Sequence, residues 1–181
     1  MTISNEYKRI LKEAHKNQNW GTRVEIPDQV IYCIENYDIK SVLDFGCGKG
    51  YVKKAIQEKY PGLVVHGYDP GFDSTLPDNV DLIYSTDVLE HIEPDELDNT
   101  LNDLNSRTNI LQYHLIACHR AKAKLPDGRN AHLIQEPPDW WQRKFKEFGW
   151  TTVYEESYSF VKQMSATWTL AQTYYEIILK K

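Results

Sequence analysis

Apolar positions along the chain follow two rhythms. Tyr7, Ile10, Leu11 and Ala14 keep the i, i+3, i+4, i+7 spacing of one helical face, with Ser4 placed to cap it. Val30, Ile31, Ile34 and Tyr37 repeat that spacing behind Pro27 and Asp28, which suit a first helical turn. At Ser41 the rhythm changes. Ser41 to Phe45 reads as a short buried strand, and Gly46 to Gly50 turns the chain into a helix carried by Val52, Ala55 and Ile56, which Pro61-Gly62 ends. Leu63 to Tyr68 is a second strand, closed by Asp69-Pro70-Gly71, and Val80 to Tyr84 is a third. Pro94, Asp95 and Glu96 open another helix with Leu97, Leu101 and Leu104 as its inward stripe, and Ile110 to Cys118 follows as a strand.

Beyond that strand the periodicity lapses. His119 to Leu133 is polar, contains Pro126-Asp127-Gly128, and reads as a long loop of the kind that usually carries function. Trp140 to Phe148 is a short helix, and Thr151 to Val161 with Thr167 to Leu179 form a terminal antiparallel pair. Strands alternating with helices and ending in an antiparallel edge predict an α/β fold. It is a three-layer sandwich around a mostly parallel sheet, in one domain over residues 1–181, with helices over 1–38 and the sheet core over 40–181.

Composition narrows the class without changing the fold. None of the 181 residues belongs to an apolar run near the roughly 20 needed to span a bilayer, and the first residues lack an apolar export segment, so no membrane partner and a cytoplasmic location are expected. Cys33, Cys47 and Cys118 are scattered, which argues against a disulfide framework or a cysteine-held zinc, and no metal is expected. The net charge of −5 gives no general field for nucleic acid, although Arg120, Lys122, Lys124 and Arg129 form a local basic run.

The chemistry concentrates in Val42-Leu43-Asp44-Phe45-Gly46-Cys47-Gly48-Lys49-Gly50. Glycines at a strand-to-helix turn let backbone approach a ligand, and the helix start offers free N–H groups. The spacing is GxGxG; Tyr51 stands where a dinucleotide fold wants glycine, and Gly50 follows the lysine where a phosphate-binding loop wants serine or threonine. Asp69 closes the next strand 19 residues after Gly50, where an acid can accept from both hydroxyls of a ribose.

With these residues the chain resembles the class I, Rossmann-like S-adenosylmethionine-dependent methyltransferases. VLDFGCGKG is similar to their first motif, GYDPG to their ribose-binding strand end, and LPDNVDLIYSTDVLEHI to the later strand and the turn over the methionine half of the cofactor. His119 to Trp141 is also similar to small methyltransferases of phage and bacterial genomes. The resemblance implies S-adenosyl-L-methionine as cofactor. It places Asp44, Gly46, Cys47, Gly48 and Gly50 around the aminoacyl and ribose region, Asp69 and Pro70 at the ribose, and Ser85, Thr86 and Asp87 along the ligand. Trp20-Gly21, which joins the N-terminal helices, is suited equally to closing over the methionine end and to anchoring the packing. One departure stands out. Only ten residues separate Asp69 from Val80, too few for the helix and strand that the family fits there, so the adenine pocket must be improvised from residues such as Phe72 and Leu76.

Methyl transfer from a sulfonium is an in-line displacement that needs alignment and exclusion of water more than a nucleophile or metal. A hydroxyl acceptor benefits from a base, and His132 is the first candidate, with Arg129 and Asn130 orienting the substrate. His91 and His119 follow; His91 is equally suited to a structural role beside Asp87 or Glu90. Trp140 and Trp141 are read as core rather than as the wall of an acceptor pocket. The chain lacks, after Ser85-Thr86-Asp87, the Asn/Asp-Pro-Pro-aromatic element of enzymes that methylate base amines, and no cysteine follows a proline. The expected acceptor is a hydroxyl or amine of a small or sugar-like molecule. A non-catalytic cofactor-binding scaffold and an RNA-directed methyltransferase are the alternatives; the oligomeric state is left open.

Overall fold

The computed structural model describes residues 3–16, 22–72, 75–163 and 169–181. Two N-terminal helices, α1 (Asn5–Ala14) and α2 (Asp28–Asn36), precede β1 (Ser41–Phe45), α3 (Tyr51–Lys59), β2 (Val64–Tyr68) and β3 (Val80–Thr86). Two 3-10 turns, Leu89–His91 and Pro94–Glu96, lead into α4 (Leu97–Arg107), which is followed by β4 (Thr108–Ala117), α5 (Pro138–Glu147), β5 (Thr151–Gln163) and β6 (Thr169–Lys180). The sheet runs β2-β1-β3-β4-β6-β5. Its first four strands are parallel, while β6 is antiparallel to both β4 and β5.

Period-two alternation sends successive side chains to opposite faces, and both faces are covered. Leu43, Phe45 and Ile83 face α4 and α5, meeting Leu97, Leu101, Trp141 and Phe145. Val42, Leu82 and Tyr84 face α2 and α3, meeting Val30, Cys33, Val52 and Ile56. The result is the expected three-layer α/β sandwich. Trp141 is fully buried in the first layer and Trp140 packs against it, as core residues.

At the amino ends of the strands, Asp81 fastens three of them. One carboxylate oxygen accepts from the Lys40 and Ser41 amides and the Ser41 hydroxyl, the other from the Asn109 amide, and these bonds hold its pKa below the usual range. Among the described residues, no helix fills the link between β2 and β3, as the short spacing requires. The helix α5 begins two residues earlier than the apolar pattern suggests, because Pro137 caps it and Pro138 sits at its first position, where a missing N–H costs nothing.

The carboxyl ends of β1 to β4 share one edge, and a third apolar cluster covers it. Tyr7 and Leu11 of α1 pack on Leu125 and Ala131 of the loop after β4. That loop folds back on itself through a bridge between Lys124 and Asn130, with Gly128 at φ 88 in its turn. No described helix is long and apolar enough to cross a membrane.

Candidate active site

Between this cover and the strand ends lies a cavity of about 460 Å³, within the range of small-ligand sites. Its floor at one end is the turn after β1. Gly46, Gly48 and Gly50 all have positive φ (81, 51 and 75), conformations that L side chains resist. A Cβ at Gly46 would stand 2.3 Å from a Val88 methyl, so this glycine is also required by space. The Gly46 and Cys47 amides donate to the Tyr68 carbonyl, tying the turn to β2.

Asp69 sits at the end of β2 and is 5% exposed. Its Oδ2 accepts from the Gly48 amide at 3.0 Å and its Oδ1 from the Gly71 amide at 2.8 Å, so the carboxylate locks the glycine turn to the strand-end turn. The His15 ring lies over it, with Nε2 3.3 Å from Oδ1 and the ring 4.8 Å from that of Phe72. Nearby, Asp44 is buried with Oδ2 making no hydrogen bond, and burial pushes its carboxyl up to about 7. After β3, Asp87 takes φ 55, and its Oδ2 lies 3.6 Å from Arg23 Nη1. Two acids and two glycines, Gly46 and Gly48, thus ring one end of the cavity, with Asp87 at its side.

The other end is built from histidines. His91, in the first 3-10 turn, places Nδ1 2.6 Å from the Ala131 carbonyl. His132 places Nδ1 on the His119 carbonyl. Their rings meet edge to face at 4.9 Å, and His119 lies 5.4 Å from His132. Burial lowers the pKa of both, to about 4 for His91, so they are neutral near pH 7. Beneath them Glu90 is fully buried; Oε1 accepts from the Ala117 amide at 3.2 Å, and Oε2 has no hydrogen-bond partner. The Glu90 carbonyl receives the Leu133 and Ile134 amides, which fasten the loop to this turn.

Of the residues singled out from the sequence, Asp44, Gly46, Cys47, Gly48, Asp69, Pro70, Thr86, Asp87, His91, His119 and His132 border the cavity. Others do not. Ser85 points to the opposite sheet face, where its hydroxyl lies 2.8 Å from His114 Nδ1, since neighbours in a strand cannot share a face. Gly50 caps α3 and has open space around it. Leu76 packs against the core, and Phe72 is 40% exposed, covering His15. Arg129 is exposed, paired with Asp127 at 2.7 Å, its guanidinium over the Tyr7 ring. Asn130 spends its amide on both backbone groups of Ala121 and on the His132 N–H, so it holds the loop in shape rather than facing the cavity. Trp20 and Gly21 lie outside the described residues.

The cavity also contains residues that sequence reading passed over: His15, Arg23, Gln172 and Tyr174. A signal existed for one of them. Tyr7, Leu11 and His15 lie four residues apart, on a single helical stripe.

A family profile described as methyltransferase domain matches residues 6–178. Among solved structures, the chain is similar to the Burkholderia thailandensis 1,6-didemethyltoxoflavin-N1-methyltransferase with bound 1,6-didemethyltoxoflavin and S-adenosylhomocysteine, at TM-score 0.61 and 13% identity over 100% of this chain and 91% of that one. It is similar to the magnesium protoporphyrin IX methyltransferase of Synechocystis PCC 6803 with bound S-adenosylhomocysteine, at TM-score 0.55 and 11% identity over 100% and 89%. TehB from Haemophilus influenzae aligns at TM-score 0.57 and 14% identity over 94% and 67%. At these identities the likeness is one of fold. No curated protein matches by sequence.

Proposed function

The chain belongs to the methyltransferase domain family, and from that premise we propose that it moves a methyl group from S-adenosylmethionine to a hydroxyl or amine of a small-molecule or sugar-like acceptor. One observation carries this reading: a single cavity joins the acidic glycine turn to the histidine cluster, giving a cofactor end and an acceptor end in one enclosure. Relatives of the same fold hold S-adenosylhomocysteine, which supports the choice of cofactor.

The residues at the first end suit that ligand. S-adenosylmethionine is cationic at its sulfonium and its amino group, and the unpartnered Asp44 Oδ2, with Asp69 and Asp87 near it, supplies negative potential in a poorly solvated place. The positive-φ glycines clear side chains from the approach. When bound, the cofactor supplies an electrophilic methyl group for in-line displacement. Asp44 and the glycine turn then hold the aminoacyl part and Asp69 the ribose, while Thr86 and Asp87 flank it. Asp69 already carries two backbone amides and His15, so admitting a ribose requires the His15 ring to move.

At the other end the chain aligns the acceptor and excludes water. Tyr7, Leu11 and Ala131 wall this end, favouring a small acceptor over a polymer. His132 is the group placed to meet the acceptor's proton. A carbonyl only accepts, so its Nδ1 carries hydrogen and its Nε2 presents the lone pair.

The test is direct. Thermal shift with S-adenosylhomocysteine reads cofactor binding, and methyl-labelled S-adenosylmethionine is then offered with small hydroxyl and amine acceptors and with RNA. Label on a small acceptor supports the proposal. Label only on RNA overturns the acceptor class, and absence of S-adenosylhomocysteine binding overturns the cofactor.

A further inference from the structure

Glu90, His91 and His132 each offer one ligand atom, and the three lie within 4.8 Å of one another. The two turns that carry them are far apart in sequence and are held together by the loop's bonds to the Glu90 carbonyl and the His91 ring. Two features of the chemistry go beyond proximity. The first is the tautomer of the rings: both Nδ1 atoms face carbonyl oxygens, of Ala131 and His119, which can only accept. Each Nδ1 therefore carries the hydrogen, and each Nε2 keeps its lone pair, the arrangement in which a backbone carbonyl orients a metal-binding histidine. The second is Glu90 Oε2, a fully buried carboxylate oxygen with no hydrogen-bond partner. A carboxyl oxygen left so deep is costly unless a cation or a hydrogen-bonding group meets it.

We propose that Glu90, His91 and His132 form a site for one divalent transition-metal ion, of the two-imidazole, one-carboxylate type, at the acceptor end of the cavity. Nitrogen with carboxylate oxygen favours zinc, manganese, iron(II) or cobalt(II) over the alkaline-earth ions, which prefer oxygen alone. Three protein ligands leave a coordination position open, and His91 and His132 border the cavity, so the open position faces the space given to the acceptor. Ligands 2.0–2.2 Å from a tetrahedral ion stand about 3.4 Å apart, so binding draws these atoms, now within 4.8 Å of one another, inward by at most about 1.4 Å.

The inference rests on the proposed function for where the acceptor lies, and it changes one step of it. With the ion present His132 is a ligand, and an acceptor hydroxyl at the open position would become acidic enough to lose its proton to bulk water as it binds, before the methyl transfer itself. The ion binds the acceptor oxygen; it undergoes no redox change.

Purified protein stripped with a chelator is titrated with cobalt(II), zinc(II) and manganese(II), following heat and, for cobalt, the visible absorption of the bound ion. The expected result is one ion per chain, with affinity reduced at least about tenfold in each of Glu90→Gln and His132→Asn. Glu90→Gln keeps the side-chain shape but not the charge, and His132→Asn, in the loop, covers the case in which the buried Glu90 variant fails to fold. No stoichiometric ion in the parent protein, or binding unchanged in the folded variants, overturns the site. S-adenosylhomocysteine affinity is measured on the same samples. Cofactor binding without metal leaves the methyltransferase reading standing and removes only the site; metal binding without cofactor does the reverse.

Discussion

Gly46→Ala tests the construction of the cofactor end more sharply than any change in a charged group. The substitution adds one methyl group in a place where two separate costs arise. At φ 81 the residue sits in the left-handed region, which charges an L side chain about 1–2 kcal/mol. The new Cβ would also lie 2.3 Å and 2.8 Å from the two Val88 methyls, contacts that force Val88 or the turn to shift. Overpacking of that kind adds about 1–3 kcal/mol, for about 2–5 kcal/mol in all. Gly50→Ala separates the two costs, since Gly50 has φ 75 but nothing within 4 Å, and it should lose only the conformational part, about 1–2 kcal/mol.

The assay is urea unfolding of the single variants, of Val88→Ala and of the double variant Gly46→Ala/Val88→Ala. Val88→Ala alone, from a partly buried position, should cost about 1 kcal/mol. If the methyls are what the alanine meets, the double variant recovers the overpacking part, and the coupling between the sites is about 1–3 kcal/mol. Additivity within about 0.5 kcal/mol, or equal losses for Gly46→Ala and Gly50→Ala, would mean that Val88 does not close over the glycine turn.

Asp69→Asn should weaken S-adenosylhomocysteine by at least about tenfold in calorimetry, since a neutral amide is a poorer acceptor than a carboxylate. Unchanged affinity would remove Asp69 from the ribose. His15→Ala should tighten cofactor binding severalfold, because the ring now lies over Asp69 and against Phe72; weaker binding would make His15 a cofactor contact instead of a competitor. Asp44 keeps its proton in the folded chain up to about pH 7, against an ordinary value of 3.8. The folded state therefore binds more protons between those values, so stability should fall as pH rises through that window and level off above it, with a shallower fall in Asp44→Asn. A cationic ligand would draw that proton off. Calorimetry at pH 7 in buffers of different ionisation enthalpy should show release of about half a proton on binding, lost in Asp44→Asn, and no buffer dependence would remove Asp44 from the ligand.

Much of this architecture is legible from period alone, because β1 to β4 are short, apolar and bounded by turn residues, and a strand buried on both faces has little freedom to be anything else. The ten residues between Asp69 and Val80 likewise announce a truncated connection by length. The same period-two rule would have moved Ser85 away from the ligand, since Thr86 and Ser85 necessarily face opposite layers. Motif resemblance groups Ser85, Thr86 and Asp87 as a unit, whereas the backbone divides them.

The histidine end was legible only in part. His132 could be named because a polar loop after β4 must leave the sheet at the edge where ligands collect. Its partners could not, because the pairing of His132 with His91 depends on the loop folding back 40 residues to the turn after β3, a contact that no local pattern encodes. Glu90 is a stronger case: beside His91 it reads as an ordinary charge, and its meaning appears only once Ala117 takes one carboxylate oxygen and burial leaves the other without a partner.

The short β2–β3 connection and the crowded cavity edge have a common physical consequence. With no helix among the described residues there to wall the adenine side, the cover comes from the chain's first helix: Ser4 is held by Glu93, the Tyr7 hydroxyl donates to the His91 carbonyl, and His15 reaches Asp69. One helix thus touches both ends of the cavity, its start beside the histidine cluster and its end over the ribose position. The residue that a nucleoside must displace and the residue that bonds the turn of Glu90 and His91 thus stand on one helix, about two turns apart, so α1 serves both ends of the cavity as a single cover.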